Sequence, residues 1–323
     1  RELQNQFGHI LSVDIPSGFR TNTSVIPTQT VTFHDRKVGM DGKTCGEVFV
    51  VDIGIDDEID QLCGPGELKL YPKFDSNKHK GQNGRIAIVG GGGFAGAPAL
   101  AGIGAYRAGV DLVHVFVPSN HYEQVSAFAP ELIVHKLEGE FVTKNVVDIL
   151  KFHNFDSIVV GPGMGKHLES IDAVRELIIN FDNLVVDADA IFRYNFYNKN
   201  ILLTPHKGEL NTLGVKSSKK ELMQFSLESG ATLLLKGKID YITDGLYFKK
   251  NFTGHPRLAV GGTGDILAGI CGGLIGRGLS AFEAARLGSY VIGVAGEICF
   301  EENGSGFLPS ELAQCVSRIF GKI

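Results

Sequence analysis

The chain lacks most of the features that assign a protein to a class at a glance. No apolar run is long enough for a bilayer. The run that starts at Ile266 is glycine-rich and meets Arg277 well short of the ~18 residues a span needs. The N-terminal stretch RELQNQFGHI has no signal-peptide apolar core. None of the five cysteines (Cys45, Cys63, Cys271, Cys299, Cys315) stands in CxxC spacing, and their number is odd. That disfavours a zinc site or a disulfide framework and favours a reducing cytoplasm. A basic field is missing too: the formal charge is −5, which argues against a nucleic-acid surface but leaves room for a local basic pocket. There is no internal repeat and no low-complexity tract.

Glycine is in surplus. It supplies 42 of the 323 residues, nearly double the ordinary share of about 7%. Without a collagen period, these glycines are expected to shape tight loops. Hydrophobic residues at 43% and charged residues at 21% are ordinary for a globular chain. At roughly 150 residues per domain, the length implies two domains or one large domain with an appendage.

Residues 1–60 read as short β-branched runs (HILSVDIP, VTFH, EVFVVDIGI) between turn-prone stretches, without a long helix. DDEIDQLCGPGE and YPKFDSNKHKGQNG are polar or Pro/Gly-punctuated, so 61–80 reads as a linker. From 81 to 323 the pattern changes. RIAIVG, DLVHVFVP, DSIVVG, NLVVDAD, ILLTP and ATLLLKG are strand candidates, with helical stretches such as APALAGIGAYRAG and ESIDAVRELIIN between them. Near-continuous apolar strands alternating with helices predict a mostly parallel sheet covered on both faces. YITDGLYFKKNFTG predicts a hairpin turning at Asp244-Gly245. The C-terminal part predicts helices only.

Polar groups gather at predicted strand ends, where open α/β sheets bind ligands. GGGGFAG at 90–96 has Gly91, Gly93 and Gly96 in GxGxxG register, which admits a dinucleotide-type phosphate turn. That fold wants an acid at the end of the second strand, yet DLVHVFVP has Asp111 at its start and Pro118 at its end. The other reading is a turn that lets a helix pack closely. GPGMG at 161–165 ends another strand. VVDADAI places Asp187 and Asp189 at a strand end, Asp189 being a rim residue or a helix N-cap. LLTPHKGEL places Thr204, His206 and Glu209 at the next, His206 being a ligand contact or a surface residue after a proline. AVGGTGDILAG at 259–269 is the sharpest signal: Gly261, Gly262 and Gly264 run into an apolar helix, whose N-terminal amides and dipole make an anion hole. Thr263 adds a hydroxyl. Asp265, beside a bound anion, suits a general base for a hydroxyl that attacks phosphate, rather than a residue that only complements the dipole.

These residues resemble the ribokinase-like fold, a three-layer α/β sandwich with an Asp base after a glycine-rich anion hole. GRIAIVGGGGFAGAPALAGIGAYRAGVDLV, VVGPGMG, VVDADAI with LLTPHKGEL, and LLKGKIDYITDG occur in order and are similar to the ADP/ATP-dependent NAD(P)H-hydrate dehydratases over roughly 81–323. HILSVDIPSG and VTFHDRKVG…GEVFVVDIGID resemble the C-terminal end of the NAD(P)H-hydrate epimerase domain, which bacteria and archaea fuse ahead of the dehydratase. The expectation is a partial α/β epimerase segment over 1–60, with its front half absent and no epimerase activity of its own. There Asp14 matches the family's substrate-binding Asp and Ser17 its potassium-binding Ser.

The resemblance implies dehydration of the S epimer of hydrated NADH or NADPH. ADP or ATP with Mg²⁺ phosphorylates the C6 hydroxyl, and phosphate is then eliminated. Asp265 would be the base and also touch substrate. Ala97, Gly163, Gly165 and His206 would contact substrate, with Asp189 on the rim. Lys236, Gly237, Lys238, Ile239 and Asp240, together with Gly262, Thr263 and Gly264, would hold the nucleotide. K⁺ would serve the epimerase part. A cytoplasmic homo-oligomer with no nucleic-acid or membrane partner is expected. His255, Arg257, Asp240 and Lys207 depart from the usual family pattern. A vitamin-precursor or sugar kinase on the same fold, or a non-catalytic nucleotide-binding paralogue, would share the anion hole.

Overall fold

A computed structural model describes residues 7–56 and 58–320, and it divides the chain into two units, 1–60 and 61–323. In the first unit three short strands, β1 (Leu11–Val13), β2 (Gln29–Phe33) and β3 (Glu47–Val51), pair in parallel in the order β1-β2-β3. One turn of helix, α1 (Gly42–Cys45), precedes β3. Asp41 starts it by accepting the Lys43 and Thr44 amides at 3.0 and 2.8 Å, a capping box.

The second unit holds a nine-stranded sheet in the order β12-β11-β10-β9-β8-β7-β4-β5-β6. Its strands are β4 (Arg85–Val89), β5 (Leu112–Pro118), β6 (Ile133–Leu137), β7 (Ser157–Val160), β8 (Asn183–Val186), β9 (Asn200–Leu203), β10 (Thr232–Leu235), β11 (Asp240–Thr243) and β12 (Phe248–Asn251). All pairings from β10 to β6 are parallel, and β11 and β12 add an antiparallel hairpin at one edge. The hairpin turns at Asp244-Gly245, where Asp244 Oδ1 accepts the Leu246 and Tyr247 amides at 2.9 and 2.7 Å. The chain lays β5 and β6 on one side of β4 and then β7 to β10 on the other, so the order reverses between β4 and β7.

Why the central strands are mostly apolar is clear from their two faces. Ile86, Ile88, Val159, Val185 and Leu234 join one core with α2 (Gly96–Arg107), α8 (Thr263–Gly276), α9 (Ala281–Asn303) and α10 (Pro309–Phe320). Ala87, Val89, Ile158, Val160 and Leu184 join the other with α4 (Asn145–Lys151), α5 (Leu168–Asn180) and α7 (Lys219–Ser229). Each such buried Ile, Val or Leu stabilises by about 1.5–3 kcal/mol. The three-layer α/β architecture is as the sequence implies.

Three elements had no clear sequence signal: α3 (Tyr122–Phe128), the edge strand β6, and the short helix α6 (Lys207–Thr212). The expected linker also needs correction, because residues 61–80 belong to the second unit. Pro65–Leu70 forms a 3-10 helix whose buried Glu67 pairs with Arg286 of α9 at 2.8 Å. Tyr71 stacks on Phe320 of α10 with centroids 4.2 Å apart, and the Arg277 guanidinium packs on Tyr71 and Phe74.

Candidate active site

The two loops at the strand-order reversal lie on each other. The Gly91 amide donates to Pro162 O at 3.0 Å, and the Gly93 and Phe94 amides donate to Gly163 O at 2.9 and 3.0 Å. The Gly92 amide donates to His121 Nδ1 at 3.0 Å. The amides of 91–94 are therefore engaged within the protein and do not form a phosphate cradle. Asp111 is equally occupied: it accepts the Gly81 and Asn83 amides at 2.8 and 3.0 Å, ahead of β5. This removes the dinucleotide-fold reading of GGGGFAG. The run packs against GPGMG and brings Ala97 to Gly163, where an added Cβ would lie 3.0 Å from that of Ala97.

The ends of β7, β8, β9 and β10 follow in sequence across the sheet. Gly161, at φ +118°, sits where any side chain would run into the Asp187 carbonyl. The Asp187 side chain, 3% exposed, accepts from Thr204 Oγ1 at 2.7 Å and pairs with Lys236 Nζ at 2.8 Å. Asp189 lies inside a short 3-10 helix and its Oδ2 accepts the Gly165 amide at 3.1 Å, joining the GPGMG and VVDADAI loops. His206 caps α6: its Nδ1 accepts the Glu209 amide at 3.1 Å, and Glu209 accepts the His206 amide at 2.8 Å. The ring remains 60% exposed, so capping leaves it open to a ligand. The backbone of His206 bridges to Lys236, which locks the ends of β9 and β10 together.

Gly262, at φ +100°, turns the chain into α8, and a side chain there would press Leu100 of α2. Thr263 is buried and its hydroxyl has no partner among the described residues. A Cβ added at Gly264 would meet Lys236 Nζ at 3.3 Å, so the ammonium stands beside the first turn of α8. Burial opposes the charge of Lys236, but Asp187, Glu209 and Asp265 outweigh it and its pKa is raised. Asp265 occupies the same turn. Burial pushes its pKa up to about 7, with Asp187 and Glu209 pushing the same way and Lys236 pulling it down.

The turn after β10 holds the rest of the predicted nucleotide run. Gly237 and Lys238 are exposed and Ile239 half-buried. The Asp240 carboxylate is turned inward, accepting the Gly237 amide at 2.9 Å and Ser289 Oγ of α9 at 2.7 Å. Burial raises its pKa against the lowering effect of those bonds. His255 stacks on Phe300 at 3.8 Å. In the first unit Asp14, at φ +64°, pairs with Lys37 at 2.7 Å, and that bond lowers its pKa. Ser17 lies in the following turn, where its carbonyl accepts the Val25 amide at 2.9 Å.

Ala97, Gly163, Gly165, His206, Lys236, Gly264 and Asp265 thus lie along one rim of the second unit. Two residues linking that rim were read from sequence as polar groups at strand ends but given no role: Asp187, which pairs with Lys236, and Glu209, which acts on Asp265. Their signal was present in VVDADAI and PHKGE. Which of several acids faces the anion hole is a long-range fact.

A mostly parallel sheet covered on both faces, with glycine-turned helix N-termini at its strand ends, is an arrangement this chain shares with ribokinase-like α/β proteins. A ribokinase-like superfamily protein from Enterococcus faecalis matches at TM-score 0.72 and 21% identity, covering 81% of this chain and 95% of that one. The ADP/ATP-dependent NAD(P)H-hydrate dehydratase from Bacillus subtilis, co-crystallised with ATP/Mg²⁺, matches at TM-score 0.72 and 24% identity, covering 81% and 98%. At such identities the likeness is one of fold.

Within that class the chain belongs to the NAD(P)H-hydrate dehydratase family, whose sequence model matches residues 86–318. It is 36% identical over 317 residues to the bifunctional NAD(P)H-hydrate repair enzyme of Archaeoglobus fulgidus, covering 95% of this chain and 67% of that protein. Against the counterpart in Methanothermobacter thermautotrophicus it is 35% identical, covering 96% and 65%. It is 32% identical to the ADP-dependent (S)-NAD(P)H-hydrate dehydratase of Cenarchaeum symbiosum, covering 78% and 93%. The chain spans about two thirds of the length of those bifunctional relatives.

Proposed function

We propose that the second unit dehydrates the S epimer of hydrated NADH or NADPH, with ADP or ATP as phosphoryl donor. The observation that carries this reading is Asp265: a carboxyl group with a pKa near 7 in the first turn of α8, beside the glycine turn and the Lys236 ammonium. A base whose pKa lies near the working pH combines the right protonation state with useful driving force. Asp265 takes the proton of the C6 hydroxyl as its oxygen attacks the terminal phosphorus and the P–O bond to the nucleotide breaks. Amides of Gly262 and Gly264 and the Lys236 ammonium carry the charge on the transferring group, the Thr263 amide being turned to the Val260 carbonyl at 3.4 Å. The lone pair of the ring nitrogen then expels phosphate from C6, and loss of the C5 proton restores the double bond. Hydroxide leaves poorly and phosphate leaves well, which is the reason for the phosphorylation.

Ala97, Gly163, Gly165 and His206 are assigned to the substrate, and Lys236 to Asp240 with Thr263 to the nucleotide. Asp240 serves through the turn it holds, since its carboxylate faces Ser289. Magnesium would not be held by side chains of this chain alone. Among the described residues no group of three His, Cys, Asp or Glu could hold an ion, so it would ride on the nucleotide phosphates and water, with Glu209 as the nearby carboxylate. When bound it neutralises the phosphates. No helix among the described residues is long and apolar enough to cross a membrane. The five cysteines are free and buried, which supports a reducing, cytoplasmic setting. The first unit is assigned to an epimerase domain, with Asp14 and Ser17 as its substrate and K⁺ residues. The matches to bifunctional relatives, which cover 95–96% of the chain, support this. Assembly as a homo-oligomer completes the reading.

The test is to incubate hydrated NADH with each nucleotide and Mg²⁺, following the return of dihydronicotinamide absorbance and the release of phosphate. Both should rise together. A phosphorylated product that accumulates without phosphate release would identify a kinase instead.

A further inference from the structure

Asp187 is the most enclosed acid of the rim, and nothing in the proposed reaction requires it to touch either substrate. It is 3% exposed, with Thr204 Oγ1 at 2.7 Å and Lys236 Nζ at 2.8 Å on the same oxygen. Its amide donates to Val160 O at 3.0 Å, and Gly161 is kept free of a side chain by its carbonyl. A buried ion pair seldom adds net stability over apolar packing. The place of this one therefore needs another reason, and its cation stands beside the first turn of α8.

We propose that Asp187 is a positioning residue for the phosphoryl transfer: from the end of β8 it fixes the Lys236 ammonium against the Gly262–Gly264 turn and sets the charge that Asp265 feels. The proposal rests on the functional reading above. The charged groups that face Asp265 are Asp187 from β8, Lys236 from β10 and Glu209 from α6. Leu100 of α2 and Pro309 of α10, which pack at Gly262, bring no charge. Asp187 and Lys236 act on Asp265 with opposite signs, so removing either one shifts the base in a known direction. In addition, Asp187 holds the ammonium where it can meet a phosphoryl group without reorganising, the kind of preorganisation that makes fixed charges effective.

The experiment follows two readouts in the full chain: the acid limb of the kcat profile, and the carbon-13 signal of the Asp265 carboxyl against pH. Asp187→Asn keeps an acceptor for Thr204 and removes the charge. Both readouts should move to lower pH, with the KM for nucleotide raised and kcat/KM down by at least about tenfold through loss of a held geometry. Lys236→Met should move both to higher pH. Asp187→Glu restores the charge and should bring the limb back, while the displaced ammonium keeps KM high. An Asp187→Asn protein whose limb and carboxyl titration coincide with wild type overturns the proposal. If Asp187→Asn does not fold, an unmoved titration in Lys236→Met overturns it equally. A wild-type chain without turnover, in which the Asp265 signal still shifts between variants, refutes the assigned reaction and leaves the Asp187–Lys236 device standing.

Discussion

An acid in the first turn of an apolar helix either complements the helix dipole or does chemistry, and at Asp265 the two roles predict different numbers. As the general base it contributes about 10²–10⁴-fold to rate, so Asp265→Asn should lower turnover at least about a hundredfold. Nucleotide affinity should hold or tighten, because a negative charge near the phosphates is gone. As a dipole partner alone, Asp265 would be worth under about 1 kcal/mol of stability and turnover would survive. A folded Asp265→Asn protein with near-wild-type turnover is the decisive contrary result. The raised pKa has a second consequence. The carboxyl titrates near 3.8 when unfolded and near 7 in the fold, so the folded state binds the extra proton. The stability this gives is fully present below about pH 4 and is lost as pH rises through about 7. Asp265→Asn should therefore melt higher than wild type in mild alkali and show little gain in acid. Equal shifts at both pH values would show that the site imposes no strain on the charge. In the sequence, GGTGD identified this residue because glycines, dipole and acid are local to one another. The charged groups that add to the effect of burial on it come from three other elements, and although VVDADAI, PHKGE and LLKGK showed those groups, nothing local showed that they face Asp265.

The glycine surplus has a different meaning at the scale of elements. Read from sequence, it belonged to loops, and Gly161 and Gly262 bear that out. Others lie inside helices. A Cβ at Gly104 of α2 would run into the Ile266 carbonyl, and one at Gly269 of α8 into the Ala101 carbonyl. The contacts Leu100 to Gly262, Gly104 to Ile266 and Ala108 to Gly273 ascend together, so α2 and α8 run in the same direction. Their N-termini, carrying Ala97 and Asp265, then open on the same rim. No periodicity could announce this, because each glycine's partner is more than a hundred residues away. Gly269→Ala gains helix propensity of about 1 kcal/mol but drives a methyl into backbone that cannot rotate away. The expected net loss is about 1–3 kcal/mol, visible as a lower urea midpoint, and an unchanged midpoint would mean that the helices slide freely. Strands β5 and β6 carry another such contact. His114 Nδ1 and His135 Nε2 lie 2.8 Å apart, a hydrogen bond that needs one donor and one acceptor. Burial, followed by the charges of His135, His153 and Arg85, depresses His114 to about 4. Its contribution is present above about pH 6.5 and is lost as pH falls towards about 4. His114→Phe should flatten the acid fall of stability, and melts in which it follows wild type down would place the acid sensitivity elsewhere.

For the whole molecule, the sheet was legible because six of its nine strands are short apolar runs bounded by turn residues and two more form the Asp244-Gly245 hairpin, and only β6, partly exposed and half polar along an edge, escaped. The domain boundary was less legible. Residues 61–80 are polar and punctuated by Gly64, Pro65 and Gly66, a composition that reads the same whether the segment is free or packed. The packing that decides it lies far along the chain, in Arg277, Arg286 and Phe320. Two truncations separate the alternatives. Both hydrophobic cores and every residue of the candidate dehydratase site lie beyond residue 60, so a chain of residues 61–323 should keep wild-type turnover within about twofold, the scale of ordinary surface changes. A chain of residues 81–323 would match the expected domain start but lacks Glu67 and Tyr71. Arg286 then loses its buried partner, a change that costs about 3–5 kcal/mol when the remaining charge is held in place, and Arg277 and Phe320 lose the ring between them. That is a large part of a total stability of about 5–15 kcal/mol, so the shorter chain should melt well below the longer one or fail to fold. Equal melting temperatures for the two would restore the linker reading and remove 61–80 from the second unit.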